Sequence, residues 1–242
     1  MTLTQHQKEL LVGTLLGDGN LQTETRGRTW RYRAIQKAEH KDYLFHKYEI
    51  LKEFCSTEPQ LSRVADVRTN KTYERWMFST KVHDSLRFYG NLFYTYDNKT
   101  QRMVKDIPVN IEKFLTPATV AYWYMDDGSL KYPGKSNALR ICTESFSDDG
   151  VRRLQRALKN LYGIEASQTQ KNKIVNGNKL PVGLRIAINE RASTAFRELI
   201  EPYLVDCMKY KVSDGKKGRL LVLKQANSSE NISAENSIHT EG

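Results

Sequence analysis

The sequence predicts an α+β protein built of two related halves, and three observations carry that prediction. An apolar helix ending in an acid and a glycine occurs twice: LLVGTLLGDG, ending in Asp18 and Gly19, and TVAYWYMDDG, ending in Asp126, Asp127 and Gly128. The two copies lie 127 − 18 = 109 residues apart, just under half of the 242 in the chain, as an internal duplication requires. Around each copy the same order recurs: helix, strand, helix, two strands, helix.

The motif helices come first. Thr4-Gln5-His6-Gln7 reads as a capping box, and Thr116-Pro117 sets a capping hydroxyl before a proline at the first helical position. Helices are therefore predicted over about 4–17 and 116–126. Both are apolar past the first turn and so buried. Gly13 and Gly17, four apart, share one face on which a second helix can approach closely. If the two helices pair, Asp18 and Asp127 emerge side by side at one end. A glycine is expected just past a helix C-terminus, in the left-handed conformation. A carboxylate is not expected there: against the negative end of the helix dipole it costs about 0.3–1 kcal/mol. Either copy alone reads as a core helix running into a turn. Repeating the cost implies that the acids serve something other than stability, and a bound cation reverses the sign of the interaction.

The remaining elements follow from periodicity. WRYRAIQK (30–37) alternates as a strand, Trp30, Tyr32 and Ala34 on one face and Arg31, Arg33, Ile35 and Lys37 on the other. Leu44, Tyr48, Leu51 and Phe54 space an amphipathic helix over 42–55. LSRVADVRT (61–69) and TYERWMFST (72–80) form a hairpin about Asn70-Lys71, with Trp76 and Phe78 inward and Tyr73 and Arg75 outward. A helix follows over about 82–92. The second half repeats this with a strand at 138–145, a helix capped by Ser147 and running to about Tyr162, a hairpin of 167–175 with 183–189, and a helix over 193–203. The expected organisation is an N-terminal half, 1–99, a linker, 100–115, a C-terminal half, 116–212, and a largely disordered tail, 213–242, poor in large apolar groups.

A formal net charge of +10 and a pI of about 9.4 call for an anionic partner, nucleic acid ahead of a membrane. No apolar run approaches the roughly 20 residues of a membrane span, and no secretory signal precedes Thr4, so a soluble intracellular protein is expected. Cys55, Cys142 and Cys207 are widely spaced and odd in number, which fits reduced core residues. The five histidines show no zinc-site spacing, so oxygen ligands remain. Cations crowd the strands and hairpins: Arg26, Arg28, Arg31, Arg33, Lys37, Arg63, Arg68, Lys71 and Arg75, then Lys131, Lys135, Arg140, Lys171, Lys173, Lys179 and Arg185. A two-stranded ribbon fits the major groove of DNA. Gln36, Gln168, Gln170, Asn172 and Asn189 interleave with the cations, which suits base reading.

These features resemble the LAGLIDADG homing endonucleases, specifically the single-chain, two-motif enzymes encoded within mobile introns. LVGTLLGDG at 11–19 matches the signature at Gly13, Asp18 and Gly19, and VAYWYMDDG at 120–128 matches it at Ala121, Asp127 and Gly128. Tyr122 stands where the signature has its first glycine, which implies looser or different packing at that level. The resemblance covers about residues 4–212 and implies two pseudo-twofold-related αββαββα halves, with saddle-shaped antiparallel sheets and a central two-helix interface. It implies a double-strand break with 3′ overhangs in a long asymmetric target, promoting intron mobility. The cofactor it implies is Mg²⁺, with Mn²⁺ as a substitute. The partners are double-stranded DNA and, secondarily, host intron RNA; the enzyme is a monomer of a chloroplast or mitochondrion, with no membrane. It places metal on Asp18 and Asp127, helped by the main-chain carbonyls of Gly17 and Asp126. It makes Lys105 and Lys211, at 105 − 18 = 87 and 211 − 127 = 84 residues behind the motif acids, the bases that order water around the attacking hydroxide. Gln36 and Glu144 enter as supporting residues on the first strand of each half, with Lys37 an alternative to Gln36. The competing readings are an RNA maturase for the host intron and a noncatalytic DNA-binding protein; neither requires both acids and both lysines.

Overall fold

The computed structural model describes residues 2–67 and 70–213. Helix α1 (Gln5–Leu15) starts at the predicted capping box: the Thr4 hydroxyl accepts from the Gln7 N–H at 3.2 Å and Gln7 Oε1 accepts from the Thr4 N–H at 2.9 Å. Strands β1 (Asn20–Gln22) and β2 (Arg31–Lys37), helix α2 (Lys41–Leu51), strands β3 (Gln60–Asp66) and β4 (Lys71–Ser79), and helix α3 (Arg87–Phe93) complete the first half. A hairpin, β5 (Tyr94–Asp97) and β6 (Arg102–Lys105), follows. The second half runs α4 (Pro117–Asp127), β7 (Gly128–Leu130), β8 (Leu139–Ile141), α5 (Asp148–Tyr162), β9 (Ala166–Val175), β10 (Asn178–Ile188) and α6 (Glu190–Ile200). Each half is thus αββαββα, and its sheet is antiparallel with the order β1-β2-β4-β3 or β7-β8-β10-β9.

Register decides what each sheet shows. Ala34 lies opposite Phe78 and Gln36 opposite Trp76 on the face covered by helices, while Arg33 opposite Ser79 and Lys37 opposite Arg75 occupy the outer face. In the second sheet Ile141 faces Ile186 inside and Arg140 faces Ala187 outside. Strands β1 and β7, expected as loop, are three residues each, too short for alternation to show. The expected helix at 82–92 is a 3₁₀ turn (Asp84–Leu86) running into α3. The segment expected as a linker over 100–115 begins inside the β5–β6 hairpin, whose strands pair Tyr94 with Lys105, and ends in a 3₁₀ turn at Ile111–Phe114. From residue 214 the expected disordered tail lies outside the described residues.

Helices α1 and α4 pack backbone against backbone. A Cβ on Gly13 would lie 2.5 Å from the Thr119 carbonyl oxygen and 2.5 Å from Tyr122 Cβ, and one on Gly17 would collide with Asp126 Cβ. Tyr122 therefore does not loosen the interface. Its Cβ fills the room that Gly13 leaves, and its hydroxyl is bonded to His6 Nε2 at 2.8 Å and His46 Nε2 at 3.0 Å. Leu10, Leu11, Leu15, Val120, Trp123 and Tyr124 are fully buried around this contact. Neither motif glycine is left-handed; Gly128 has φ −80° and ψ 153°. They are required by close approach instead, since a Cβ would lie 2.7 Å from Thr14 Oγ1 at Gly19 and would enter the Tyr124 ring at Gly128. The three cysteines are free and partly buried. No helix among the described residues is long and apolar enough to cross a membrane.

Candidate active site

Asp18 and Asp127 come out at the same end of the helix pair, Asp18 exposed and Asp127 mostly covered. Gln36 Nε2 donates to Asp18 Oδ2 at 3.0 Å. Lys105 Nζ donates to the carbonyl oxygens of Gly17 (3.3 Å) and Gly19 (3.1 Å). Lys211 does the same in the second half, donating to the Asp126 carbonyl at 2.9 Å and to that of Met125. Its own carbonyl accepts from the Tyr124 hydroxyl at 2.9 Å, which ties the last 3₁₀ turn (Asp206–Lys211) to α4. Each lysine thus holds the very carbonyl, Gly17 or Asp126, that the family resemblance assigns to metal.

The electrostatics are those of acids gathered short of countercharge. Burial above all, then the neighbouring Asp18 and Asp126, pushes the Asp127 carboxyl up to about 8, against the pull of Lys211 and Lys105. Burial lowers both lysines, and the three acids oppose it. Two carboxylates with adjacent carbonyls form an all-oxygen donor set, the kind a hard divalent cation takes. Among the described residues no three acidic, histidine or cysteine side chains form a ready-made cage, so such a cation would complete its shell with water and phosphate oxygens.

Sequence reasoning missed Lys47. It is fully buried on α2 and its Nζ lies 2.6 Å from Asp126 Oδ1, also fully buried, and 4.1 Å from the centre of the Tyr43 ring. Burial raises the Asp126 carboxyl, and the ammonium beside it holds it down. Asp126 Oδ2 in turn accepts the backbone N–H of Asp18 at 3.1 Å, across the interface. A signal was available: Lys47 follows Leu44 by three and precedes Leu51 by four, which puts it on the apolar face of its helix.

Glu144 is engaged in an ion pair. It pairs with Arg185, whose Nε lies 2.9 Å from Glu144 Oε2 and whose Nη2 makes a second contact to Oε1. Asn20 opposite Arg33 corresponds to Ser129 opposite Arg140, so the strands are offset by 140 − 33 = 107 while the acids are offset by 127 − 18 = 109. The first β-turn is two residues longer than the second. Thr143 therefore stands at the level of Gln36, where its hydroxyl donates to the Leu184 carbonyl at 2.8 Å, and Glu144 stands at the level of Lys37.

Of the predicted DNA contacts, Arg31, Arg33, Lys37, Lys71 and Arg75 share the outer face of the first sheet and Arg140, Lys171, Lys173 and Arg185 that of the second. Arg33, Arg75 and Arg140 each keep a buried Nε with no hydrogen-bond partner among the described residues. Arg63 and Lys179 are corrections: register puts Arg63 opposite Glu74, with which it forms a 2.8 Å ion pair, and Lys179 opposite Ile174, both on the reverse face. Arg68 lies outside the described residues. The interleaved amides are also largely spoken for. Gln168 donates to Gln155 of α5 at 2.6 Å, Gln170 to the Gly183 carbonyl at 3.1 Å, and Asn189 caps α6 by accepting from the Ala192 N–H at 2.9 Å.

Two acid-tipped helices packed at glycines, beneath two antiparallel sheets with cationic outer faces, define the duplicated LAGLIDADG architecture. A model of the LAGLIDADG DNA endonuclease family matches residues 8–196, and the chain belongs to that family. It is 58% identical over 222 residues to the DNA endonuclease I-ChuI of Chlamydomonas applanata, covering 91% of this chain and 100% of that one. It is 27% identical over 207 residues to the cytochrome b mRNA maturase bI2 of Saccharomyces cerevisiae, spanning 85% of this chain but only 47% of the maturase. The fold matches the solved structure of the homing endonuclease I-WcaI bound to its DNA recognition sequence with a TM-score of 0.74 at 24% identity, over 88% of each chain.

Proposed function

We propose that the protein is a monomeric homing endonuclease that makes a double-strand break with 3′ overhangs in a long asymmetric DNA site, using a divalent cation, normally Mg²⁺, at Asp18 and Asp127. The convergence of one acid and one lysine from each half at one end of the helix pair is the observation that carries the reading. Two such sets in one chain match two strands to be cut. A divalent cation there supplies charge neutralisation at the phosphate and lowers the pKa of the attacking water. Gln36, bonded to Asp18 Oδ2, fixes the direction in which that carboxylate presents its free lone pairs. Lys105 and Lys211 hold the backbone of the motif ends and bring positive charge beside it. The outer sheet faces hold the duplex, their arginines and lysines meeting phosphates or base edges. Retention of both acids and both lysines favours cleavage over an RNA-maturase role. Likeness to algal and fungal proteins, one of them named as a probable intron-encoded endonuclease, supports an origin within an intron and residence in an organelle.

The test is cleavage of a target selected from a randomised duplex library in Mg²⁺. Asp18→Asn and Asp127→Asn should bind that target yet fail to linearise plasmid carrying it; full linearisation by either removes that acid from the mechanism. Lys105→Met and Lys211→Met should slow single-turnover cutting at saturating enzyme with affinity nearly unchanged. A normal rate together with a salt slope reduced by about one would make the lysine an ordinary phosphate contact instead.

A further inference from the structure

The two motif ends are built differently. Helix α4 runs through Asp127, whereas α1 stops at Leu15, three positions earlier in the motif. The N–H groups of Gly17 and Gly19 both turn back to the Thr14 carbonyl, and that of Asp18 leaves its own half altogether to reach Asp126 Oδ2 at 3.1 Å. The position of Asp126 in the first motif is Gly17, so the first half has no acid to return the contact. Asp126 is buried at the helix crossing, where an isolated carboxylate is strongly disfavoured, and among the described residues the ammonium that pairs with its carboxylate is that of Lys47, from the first half. Lys47, Asp126 and the Asp18 peptide therefore form a single chain of contacts that crosses the interface twice.

We infer that Lys47 and Asp126 are a positioning pair that replaces the missing helical carbonyl for the Asp18 N–H and so sets the first motif acid. Neither side chain need touch DNA. A hydrogen bond from an amide to a charged acceptor is about twice as strong as one to a neutral carbonyl, so the bond can hold a peptide that the helix has released. Because the device exists on one side only, it makes the two cutting centres unequal.

The inference rests on Asp18 being a working acid, and its test separates the two ideas. In the metal-free protein, hydrogen exchange of the Asp18 amide should be slowed by the contact with Asp126, whatever Asp18 does in catalysis. Lys47→Met/Asp126→Ala removes the pair together, leaving no unpaired buried charge, and should expose that amide to exchange. Lys47→Met/Asp126→Asn keeps an acceptor oxygen and should restore protection. In single-turnover cleavage resolved by strand, the first double variant should slow one strand by roughly tenfold more than the other, and the asparagine variant should recover most of that difference. An unprotected Asp18 amide in the unaltered protein overturns the inference without any variant. So does equal slowing of both strands, which is what a purely structural pair would produce.

Discussion

The surroundings of Asp127 disfavour its charge, and that has a sign that can be measured. Its carboxyl sits at about 8 in the folded chain against the usual 3.8. Between those values the folded protein holds a proton that the unfolded chain has released, so stability falls as pH rises across that window. The metal-free protein should therefore lose Tm from pH 5 to 7.5, and Asp127→Asn should flatten the slope; thermal melts across pH in chelator check it. A Tm that rises over the same range would show the acid to be ionised already. Lys47→Met alone leaves Asp126 buried and uncompensated, and should cost about 3–5 kcal/mol in urea unfolding, more than the double change with Asp126→Asn. Both motif acids and both lysines are legible in the sequence because a repeat advertises them. Lys47 is not, because a lone lysine on an apolar stripe reads as an error in the stripe until its partner from another helix is known.

At the scale of elements, the helix pair and the central strands were readable where a core imposes a period. Strand β2 and the inner end of β4 alternate as expected because helices cover one face. Toward the hairpin tips no core enforces a period, and assignments by charge alone put Arg63 and Lys179 on the wrong face. The difference is testable. Arg75→Ala should relax specificity at one base pair by about 1–3 kcal/mol, or weaken all sequences alike, whereas Arg63→Ala should change binding by less than about 0.5 kcal/mol. Equal effects would mean that the twist of the hairpin brings both faces to DNA. The offset between the halves also changes from 109 at the acids to 107 at the strands, which sequence spacing could not reveal because a loop absorbs the two residues. The helix crossing gives a sharper expectation: Gly13→Ala should destabilise by about 1–3 kcal/mol, since its Cβ would meet backbone oxygen at 2.5 Å and only a shift of the whole helix relieves it. Circular dichroism against urea measures it.

For the whole molecule, a formal charge of +10, with nine cations lined up on the two outer sheet faces, makes binding a matter of ionic strength as much as of fit. The log–log dependence of affinity on salt should be steep, and replacing Arg33 and Arg140 together, equivalent positions in the two halves, should flatten it by about 1.8 if each meets one phosphate. An unchanged slope would assign both to base edges. The same pairing of halves bears on their ancestry. Gly17 in one half is matched to Asp126 in the other, and Lys47 of the first serves the acid of the second. Two copies of the first half would bring glycine to glycine and strand two lysines in the core; two copies of the second would drive two carboxylates into one crossing. The halves have become complementary, as a key and its lock are, and neither can any longer stand in for the other to rebuild a symmetric dimer.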